Sequence, residues 1–285
     1  MEFTVERDGF HGTLYRPAAD RFPGKALIAF SGSDGRFPLA CKLAEIFRGA
    51  GLTTLALAYW NAPGLPKQIA ALPVEAVERP ALWLRSRGCE KVGLWGISKG
   101  GELALLAASL MPELISCVVA VSPMDMVCQA IDPGKKKPLP GSSWSWRGTQ
   151  LPYAPFDWSP GRVARDTLRA REPTLRPAYE TAAAHPPEDA RIPVERIAGP
   201  VLLLSARHDS IWPAAEAAER VVARLDAAAF PHAHRHICYE YASHLLLPVR
   251  LRSDRFFAMT RKHPEACARS RADSLQRALD ILEAW

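Results

Sequence analysis

Short apolar runs alternate with segments of helical spacing along most of this chain. Runs such as KALIAF and KVGLWG have the length of buried strands and are bounded by glycine or polar turn residues. Each is followed by residues with the apolar spacing of a helix, at 38–50 and 99–111. Parallel strands need such crossover helices, so the alternation predicts a mostly parallel sheet with helices on both faces.

The same rhythm extends to the C-terminus. With 285 residues the chain can bury one large core, and we expect a single domain over residues 1–285. FTVERD and FHGTLYRP flank a glycine and predict an antiparallel hairpin. Further strands are predicted at LTTLALAYW, ISCVVAVSP, PVLLLSA and HRHICYEY, and further helices at residues 67–87, 214–226 and 272–284.

One segment, residues 125–192, breaks the alternation. It has no clear strand pattern, and a structureless loop of this length is uncommon in a compact domain, so we expect a cap insertion over the site. Lys135 to Lys137 could meet the phosphates of a ligand or form a solvated loop. Its aromatic residues could line a ligand pocket or pack the cap; they are Trp144, Trp146, Tyr153, Phe156 and Trp158.

Composition narrows the function classes. The formal net charge of +6 is modest for this length and no long basic tract accompanies it, so nucleic acid is not an expected partner. No stretch approaches 18 uninterrupted apolar residues, and the first residues, MEFTVERDGF, lack an apolar segment. We expect a cytoplasmic protein without a membrane partner, and no cofactor or metal.

The pentapeptide Gly96-Ile97-Ser98-Lys99-Gly100 lies between a predicted strand and a predicted helix. That setting is what a GxSxG nucleophile elbow requires, since a tight strand-to-helix turn exposes the serine above the sheet. A side chain at either glycine would crowd the neighbouring backbone. Ser98 is therefore the candidate nucleophile.

A serine hydroxyl needs a base and an acid to become nucleophilic. Asp209 follows the strand PVLLLSA, and His244 follows the strand HICYEY. The order Ser98, Asp209, His244 is the chain order of an α/β-hydrolase triad, so the predicted fold class is the α/β-hydrolase fold. His244 would act as the general base and Asp209 would orient it.

Other residues could fill these positions. His208 is an alternative base, and Asp125, which follows an earlier strand, is an alternative acid. His232, His234 and His236 alternate along a strand, which invites a metal interpretation. No carboxylate or cysteine partner is fixed by spacing, so exposed histidines at a strand are the expected account.

Acyl transfer also requires backbone donors aimed at the oxyanion. The amide of Lys99 supplies one by its position after the nucleophile. The turn Ser31-Gly32-Ser33-Asp34-Gly35 after the first buried strand would supply the second, with Ser33 as the expected donor; its other interpretation is a simple connection. The Lys99 side chain is expected to pair with Glu102, one turn further on.

Five segments together resemble a known family. GISKGGELALLAA, LTTLALAYW, SSWSWRGTQLPYAPF, IPVERIAGPVLLLSARHDSIWPA and YASHLLLP are similar to the catalytic α/β-hydrolase domain of the acyl-CoA thioesterase and bile acid-CoA:amino acid N-acyltransferase family. The likeness runs over nearly the whole chain from VERDGFHGTLYRP onward. By position, Ser98, Asp209 and His244 match the family's nucleophile, acid and base.

The resemblance implies hydrolysis of acyl thioesters, most simply of acyl-CoA, with CoA as part of the substrate and a small-molecule acyl group as the partner. In this family a serine nucleophile goes with hydrolysis and a cysteine with amino acid conjugation. Animal members carry an additional N-terminal β-sandwich domain, and relatives often have an aspartate where this chain has His208. An esterase or lactone hydrolase, an N-acyltransferase and an inactive binding module are the alternatives.

Overall fold

The computed structural model describes residues 1–285, and its centre is an eight-stranded sheet. The strands in chain order are β1 (Glu2–Phe3), β2 (His11–Tyr15), β3 (Lys25–Phe30), β4 (Thr53–Ala58), β5 (Leu72–Pro73), β6 (Lys91–Ile97), β7 (Cys117–Val121), β8 (Gln129–Asp132), β9 (Lys137–Ser142), β10 (Trp144–Trp146), β11 (Thr149–Gln150), β12 (Val201–Ala206) and β13 (His234–Tyr239).

Nine helices accompany the strands. They are α1 (Val5–Asp8), α2 (Phe37–Gly49), α3 (Glu78–Ser86), α4 (Lys99–Leu110), α5 (Pro160–Ala170), α6 (Arg176–Ala184), α7 (Ala214–Ala227), α8 (Ala258–Lys262) and α9 (Pro264–Ala284). None of them combines the length and apolar character needed to span a bilayer.

The sheet has the order β1-β2-β4-β3-β6-β7-β12-β13. All pairings from β4 to β13 are parallel, and β2 pairs antiparallel with β1 and β4. Apolar side chains of α2 and α9 pack on one face of the sheet, and those of α3, α4 and α7 pack on the other. The predicted α/β-hydrolase architecture is confirmed, and the carboxyl ends of its parallel strands meet at one edge.

Some predicted elements were wrong in extent. The N-terminal hairpin exists, but VERD in its first arm forms the short helix α1, whose first turn is capped by the Thr4 hydroxyl. The helix predicted at residues 67–87 begins only at Glu78: Ala71 has φ 48°, the next two residues form β5, and Val74–Val77 form a 3₁₀ turn. The last helix begins at Pro264 rather than at residue 272.

The segment 125–192 contains strands, contrary to the expectation of no clear strand. β8 and β9 form an antiparallel pair, and β10 joins β11 and β5 in a small sheet. β9 has the sequence KPLPGS, and its two prolines, which cannot donate to a sheet, hide it from pattern recognition. α5 and α6 complete the segment.

Candidate active site

Ser98 occupies the turn between β6 and α4 in a strained backbone conformation. Its φ is 58° and its ψ is −123°, a region that L-residues rarely adopt and that costs about 1–3 kcal/mol. A Cβ at Gly96 would lie 2.2 Å from the carbonyl oxygen of Gly100, and a Cβ at Gly100 would lie 2.4 Å from the carbonyl oxygen of Ser31. Both glycines of the pentapeptide are therefore required by backbone contacts at the elbow.

His244 and Asp209 lie beside this serine. His244 Nε2 is 2.9 Å from Ser98 Oγ, and His244 Nδ1 is 2.7 Å from Asp209 Oδ2. An ionised carboxylate can only accept, so Nδ1 donates to Asp209 and Nε2 is left to accept from the serine hydroxyl. This arrangement can move a proton from Ser98 to His244 while Asp209 stabilises the resulting imidazolium.

The acid and the base are themselves held in place. Asp209 Oδ1 accepts from the amides of Ile211 at 2.8 Å and Trp212 at 3.3 Å, which fixes the carboxylate. The Ser122 hydroxyl donates to the carbonyl oxygen of His244 at 2.9 Å, and the Trp212 ring packs edge-on against the imidazole with centroids 5.7 Å apart. Ser122 and Trp212 therefore limit the orientations available to His244.

The alternative acid and base have other partners. His208 is exposed, and its Nε2 donates to Glu240 at 2.8 Å. The buried Asp125 accepts two hydrogen bonds of 2.7 Å from the Arg220 guanidinium. Neither side chain forms a hydrogen bond with Ser98 or His244, and each is paired with a charged residue elsewhere.

The alternating histidines also have separate contacts. His234 Nδ1 lies 3.0 Å from the carbonyl oxygen of His232 and Nε2 lies 2.8 Å from Asp226 Oδ1; both oxygens favour the protonated ring and so raise its pKa. His236 Nε2 lies 2.7 Å from the Ser205 hydroxyl, and burial lowers the pKa of His236. Two rings of this stretch thus take part in packing β13 onto its neighbours.

The oxyanion donors predicted from sequence flank the nucleophile. The amide of Lys99, as the first of α4, has no intrahelical acceptor. Gly32 approaches so closely that a Cβ there would lie 3.0 Å from Ser98 Cβ. The Gly32 amide donates to Asp34 Oδ2 at 3.2 Å, so it is already paired within the turn. Ser33 also lines the cavity at Ser98.

The Lys99 side chain is buried and does more than pair with Glu102. Its Nζ lies 2.8 Å from Glu102 Oε2 and donates to the Ser143 hydroxyl at the same distance. Glu102 Oε1 accepts from Trp144 Nε1 at 2.7 Å and from the Cys128 amide at 2.8 Å. This buried network joins the first turn of α4 to the segment 125–192.

Two cavities meet at Ser98. The large cavity has a volume of about 730 Å³, within the range of roughly 300–1,000 Å³ typical of small-molecule sites. Apolar side chains line much of it, including Phe156, Trp158 and Tyr179, and Lys136 and Lys137 also lie along it. The small cavity, of about 280 Å³, is lined by Ser98, His244, Leu247, Phe256 and Phe257 among others.

The aromatic residues of the segment 125–192 divide between the two roles considered from sequence. Phe156 and Trp158 line the large cavity, whereas Trp144 is fully buried and Trp146 and Tyr153 pack against the main core. Trp144 and its neighbours therefore anchor the segment to α4.

Sequence reasoning missed several residues of the site. Ser122 lacks any motif, and its φ of 44° and its bond to His244 depend on the meeting of β7 with a distant loop. Asp34 was named only as part of a turn; it accepts from the amides of Gly32 and Arg36 and lines the small cavity. The run Ser33-Asp34-Gly35 with its Asx-type bonds was the available signal.

The sequence of this chain matches that of a known protein family. Residues 77–249 match the family model described as BAAT / Acyl-CoA thioester hydrolase C terminal. The chain belongs to this family. The BAAT / acyl-CoA thioester hydrolase match includes Ser98, Asp209 and His244. The resemblance inferred from the sequence is confirmed.

Curated relatives agree with this membership, and a solved structure shares the fold. The chain is 30% identical over 244 residues to human acyl-coenzyme A thioesterase 1. The aligned region covers 83% of this chain and 52% of the relative. Human mitochondrial acyl-coenzyme A thioesterase 2 is also 30% identical over 83% of the chain and 45% of its own length. The chain thus spans about half the length of these relatives. An alpha/beta hydrolase from Penicillium sp. sh18 shares the fold, with a TM-score of 0.53, 15% identity and coverage of 100% of this chain and 97% of the other.

Proposed function

We propose that this protein hydrolyses acyl-CoA thioesters through an acyl-enzyme at Ser98. The observation that carries the proposal is the continuous hydrogen-bonded series Ser98, His244 and Asp209 at the junction of two cavities. Membership of a family whose curated relatives are named acyl-coenzyme A thioesterases supports the thioester as the bond that is cleaved.

In the first half of the proposed reaction, Ser98 Oγ attacks the thioester carbonyl carbon as His244 Nε2 takes its proton. The amides of Lys99 and Ser33 donate to the oxyanion. The carbon–sulfur bond then breaks, and His244 returns the proton to the departing thiolate. In the second half, His244 removes a proton from water, which attacks the ester carbon; the bond from that carbon to Ser98 Oγ then breaks, His244 returns the proton to Oγ, and the acid leaves.

We further propose that residues 125–192 act as a cap and that the large cavity beneath them takes the acyl chain. Apolar side chains from α5, α6 and the loop before α5 converge on this cavity, among them Trp158, Val163 and Tyr179. The proposed chemistry uses side chains, backbone amides and water, and CoA enters only as part of the substrate.

Ser98→Ala tests the mechanism. The variant should lose at least about 10³-fold in kcat on every acyl-CoA that the wild type hydrolyses, as expected when a nucleophile is removed. Ser86→Ala, at an exposed serine at the end of α3, is the matched control and should keep wild-type rates. Wild-type hydrolysis by Ser98→Ala would overturn the mechanism.

A substrate panel tests the reaction class. Wild-type kcat/KM on acyl-CoA esters of increasing chain length is compared with that on simple oxygen esters and lactones, and amide formation is measured with glycine and taurine as acceptors. The proposal predicts preference for thioesters and release of free acid. A large preference for oxygen esters, or amide as the main product, would contradict it.

A further inference from the structure

An arginine-lined cleft lies next to the small cavity. It has a volume of about 880 Å³ and is formed by the 3₁₀ turn Arg252–Phe256 together with residues of α8 and α9. We call it the arginine cleft. Five arginines line it: Arg250, Arg252, Arg255, Arg261 and Arg271.

Two of these arginines bind other groups of the protein. Arg271 pairs with the buried Asp254 at 3.0 Å, and Arg261 donates to the carbonyl oxygens of Arg255, Phe256 and Arg171. They build the wall of the cleft.

The other three arginines are exposed and have no ion pair: Arg250, Arg252 and Arg255. The only carboxylates lining the cleft are Asp254 and Glu265. Five guanidinium groups and two carboxyl groups give the cleft a net positive charge, so it favours an anion.

The 3₁₀ turn connects this cleft to the nucleophile. Arg252 and Arg255 face the cleft, whereas Ser253 and Phe256 line the small cavity, and Leu251 lines both. The small cavity in turn reaches Ser98 and His244. A ligand that occupied the cleft and the small cavity would therefore extend from the cluster of positive charges to the proposed nucleophile.

We propose that the arginine cleft binds the phosphates of CoA, with the thiol arm of CoA in the small cavity and the acyl chain in the large one. This inference rests on the proposed function. Guanidinium groups bind phosphate oxygens through paired N–H donors. Phe256 lines the small cavity and is 51% exposed, and the Arg255 guanidinium lies 5.2 Å from its ring centroid, so a positive charge of the cleft lies beside that cavity.

The lysines of the β8–β9 hairpin are the competing phosphate site. Lys136 and Lys137 line the large cavity together with Asp132, so a smaller net charge faces a ligand there. Lysine is a point charge without the paired donors of arginine. The number of charges and their geometry both favour the arginine cleft.

Paired substrates test this assignment. The double variant Arg250→Glu/Arg255→Glu is compared with the wild type on an acyl-CoA and on the N-acetylcysteamine thioester of the same acid, which has no phosphate. KM for the acyl-CoA should rise at least about tenfold, because one lost hydrogen bond to a charged group already weakens binding about tenfold or more. kcat/KM for the N-acetylcysteamine thioester should stay within about twofold.

Two matched variants serve as controls. Arg85→Glu/Arg87→Glu makes the same charge change at exposed residues that line neither cavity nor cleft, and it should leave both substrates unchanged. Lys136→Glu/Lys137→Glu tests the competing site. A rise in KM confined to that lysine variant, or an equal loss on the thioester without phosphate in the arginine variant, would overturn the proposal.

Equilibrium binding separates this inference from the proposed function. Calorimetry with CoA, 3′-dephospho-CoA and inorganic phosphate needs no catalysis. The wild type should bind CoA more tightly than the dephosphorylated form, and Arg250→Glu/Arg255→Glu should abolish that difference. Such binding without hydrolysis would refute only the proposed function, whereas hydrolysis with unchanged CoA binding in the arginine variant would refute only the cleft.

Discussion

Lys99 Nζ lies 2.8 Å from Glu102 Oε2, and neither side chain is more than 1% exposed. The pair lies directly behind the proposed nucleophile, and its hydrogen bonds reach Ser143, Trp144 and the Cys128 amide. Burying two charges costs desolvation free energy. Removing only one of the two side chains destabilises a protein strongly, because the other charge is then buried without a partner. The pair therefore makes the position of the segment 125–192 depend on the first turn of α4.

Lys99→Met should lower the free energy of unfolding by about 3–5 kcal/mol, because the Glu102 carboxylate would be left buried without its cation. Glu102→Gln retains an acceptor for Trp144, so Lys99→Met/Glu102→Gln should be more stable than Lys99→Met alone. Urea unfolding followed by circular dichroism measures both. Equal stability of Lys99→Met and the wild type would show that the pair contributes nothing.

Gly100→Ala should disrupt the elbow, since the new Cβ would lie 2.4 Å from the carbonyl oxygen of Ser31. We expect a loss of about 1–3 kcal/mol or more in stability from this overpacking, together with loss of most hydrolytic activity. Gly161→Ala is the matched control, because nothing lies within 4 Å of its added Cβ. It should keep full activity and gain up to about 1 kcal/mol. A fully active Gly100→Ala would contradict the elbow geometry.

Asp209→Asn should reduce kcat by about 10⁴-fold while the fold persists, because the amide would favour the wrong tautomer of His244. The amide oxygen can still accept from the backbone of Ile211, which preserves the loop. Steady-state kinetics with a thermal unfolding control measures this change. His208→Ala, at the exposed neighbouring histidine paired with Glu240, should be nearly unchanged. A larger effect at His208 than at Asp209 would reverse the assignment.

Two histidines of β13 should affect stability with opposite dependence on pH. The pKa of His234 is raised above 6.5, first by the His232 carbonyl and then by Asp226, so its contribution is complete below pH 6.5 and is lost as pH rises through the folded-state value. The pKa of His236 is lowered by burial, so its contribution is present above pH 6.5 and is lost as pH falls.

Unfolding of the single variants His234→Gln and His236→Gln at pH 5.5 and pH 8.5 tests these signs. His234→Gln should be more destabilised, relative to the wild type, at pH 5.5 than at pH 8.5. His236→Gln should show the reverse. Parallel changes in the two variants would mean that the ring contacts of β13 do not control these pKa values.

Val163→Trp should shorten the preferred acyl chain. Val163 lies on α5 and lines the large cavity, so a larger ring would exclude the end of a long chain. At about 0.8 kcal/mol for each methylene group, loss of several contacts should lower kcat/KM for long acyl-CoA by about 10²-fold and spare short ones. Leu168→Trp, at an 80% exposed position of the same helix, is the control and should leave the profile unchanged. An unaltered chain-length profile in Val163→Trp would place the acyl chain elsewhere.

Much of the architecture was predictable because the five central strands are almost wholly buried and therefore read as short apolar runs; they are β3, β4, β6, β7 and β12. The positions of Ser98, Asp209 and His244 after their strands brought them to one edge, as the chain order implied. The elbow glycines carried a local signal, since their neighbours clash with any side chain.

The rest of the site depends on contacts between residues far apart in the chain. Nothing near Lys99 indicates that its ammonium group meets Ser143, 44 positions away, or that Ser122 holds the backbone of His244, 122 positions away. The strands of the segment 125–192 are short and rich in proline, so they lack the alternation that reveals longer strands. Pairing partners, rather than local propensity, determine these elements.

Ser98 borders both the large and the small cavity, and this has a kinetic consequence. In the proposed reaction the bond that breaks lies at the junction, so the leaving thiol and the retained acyl group occupy separate chambers. The thiol can leave before water hydrolyses the acyl-enzyme, and neither product has to pass the other. Free CoA and free acid should therefore bind to the enzyme at the same time, so that neither product displaces the other.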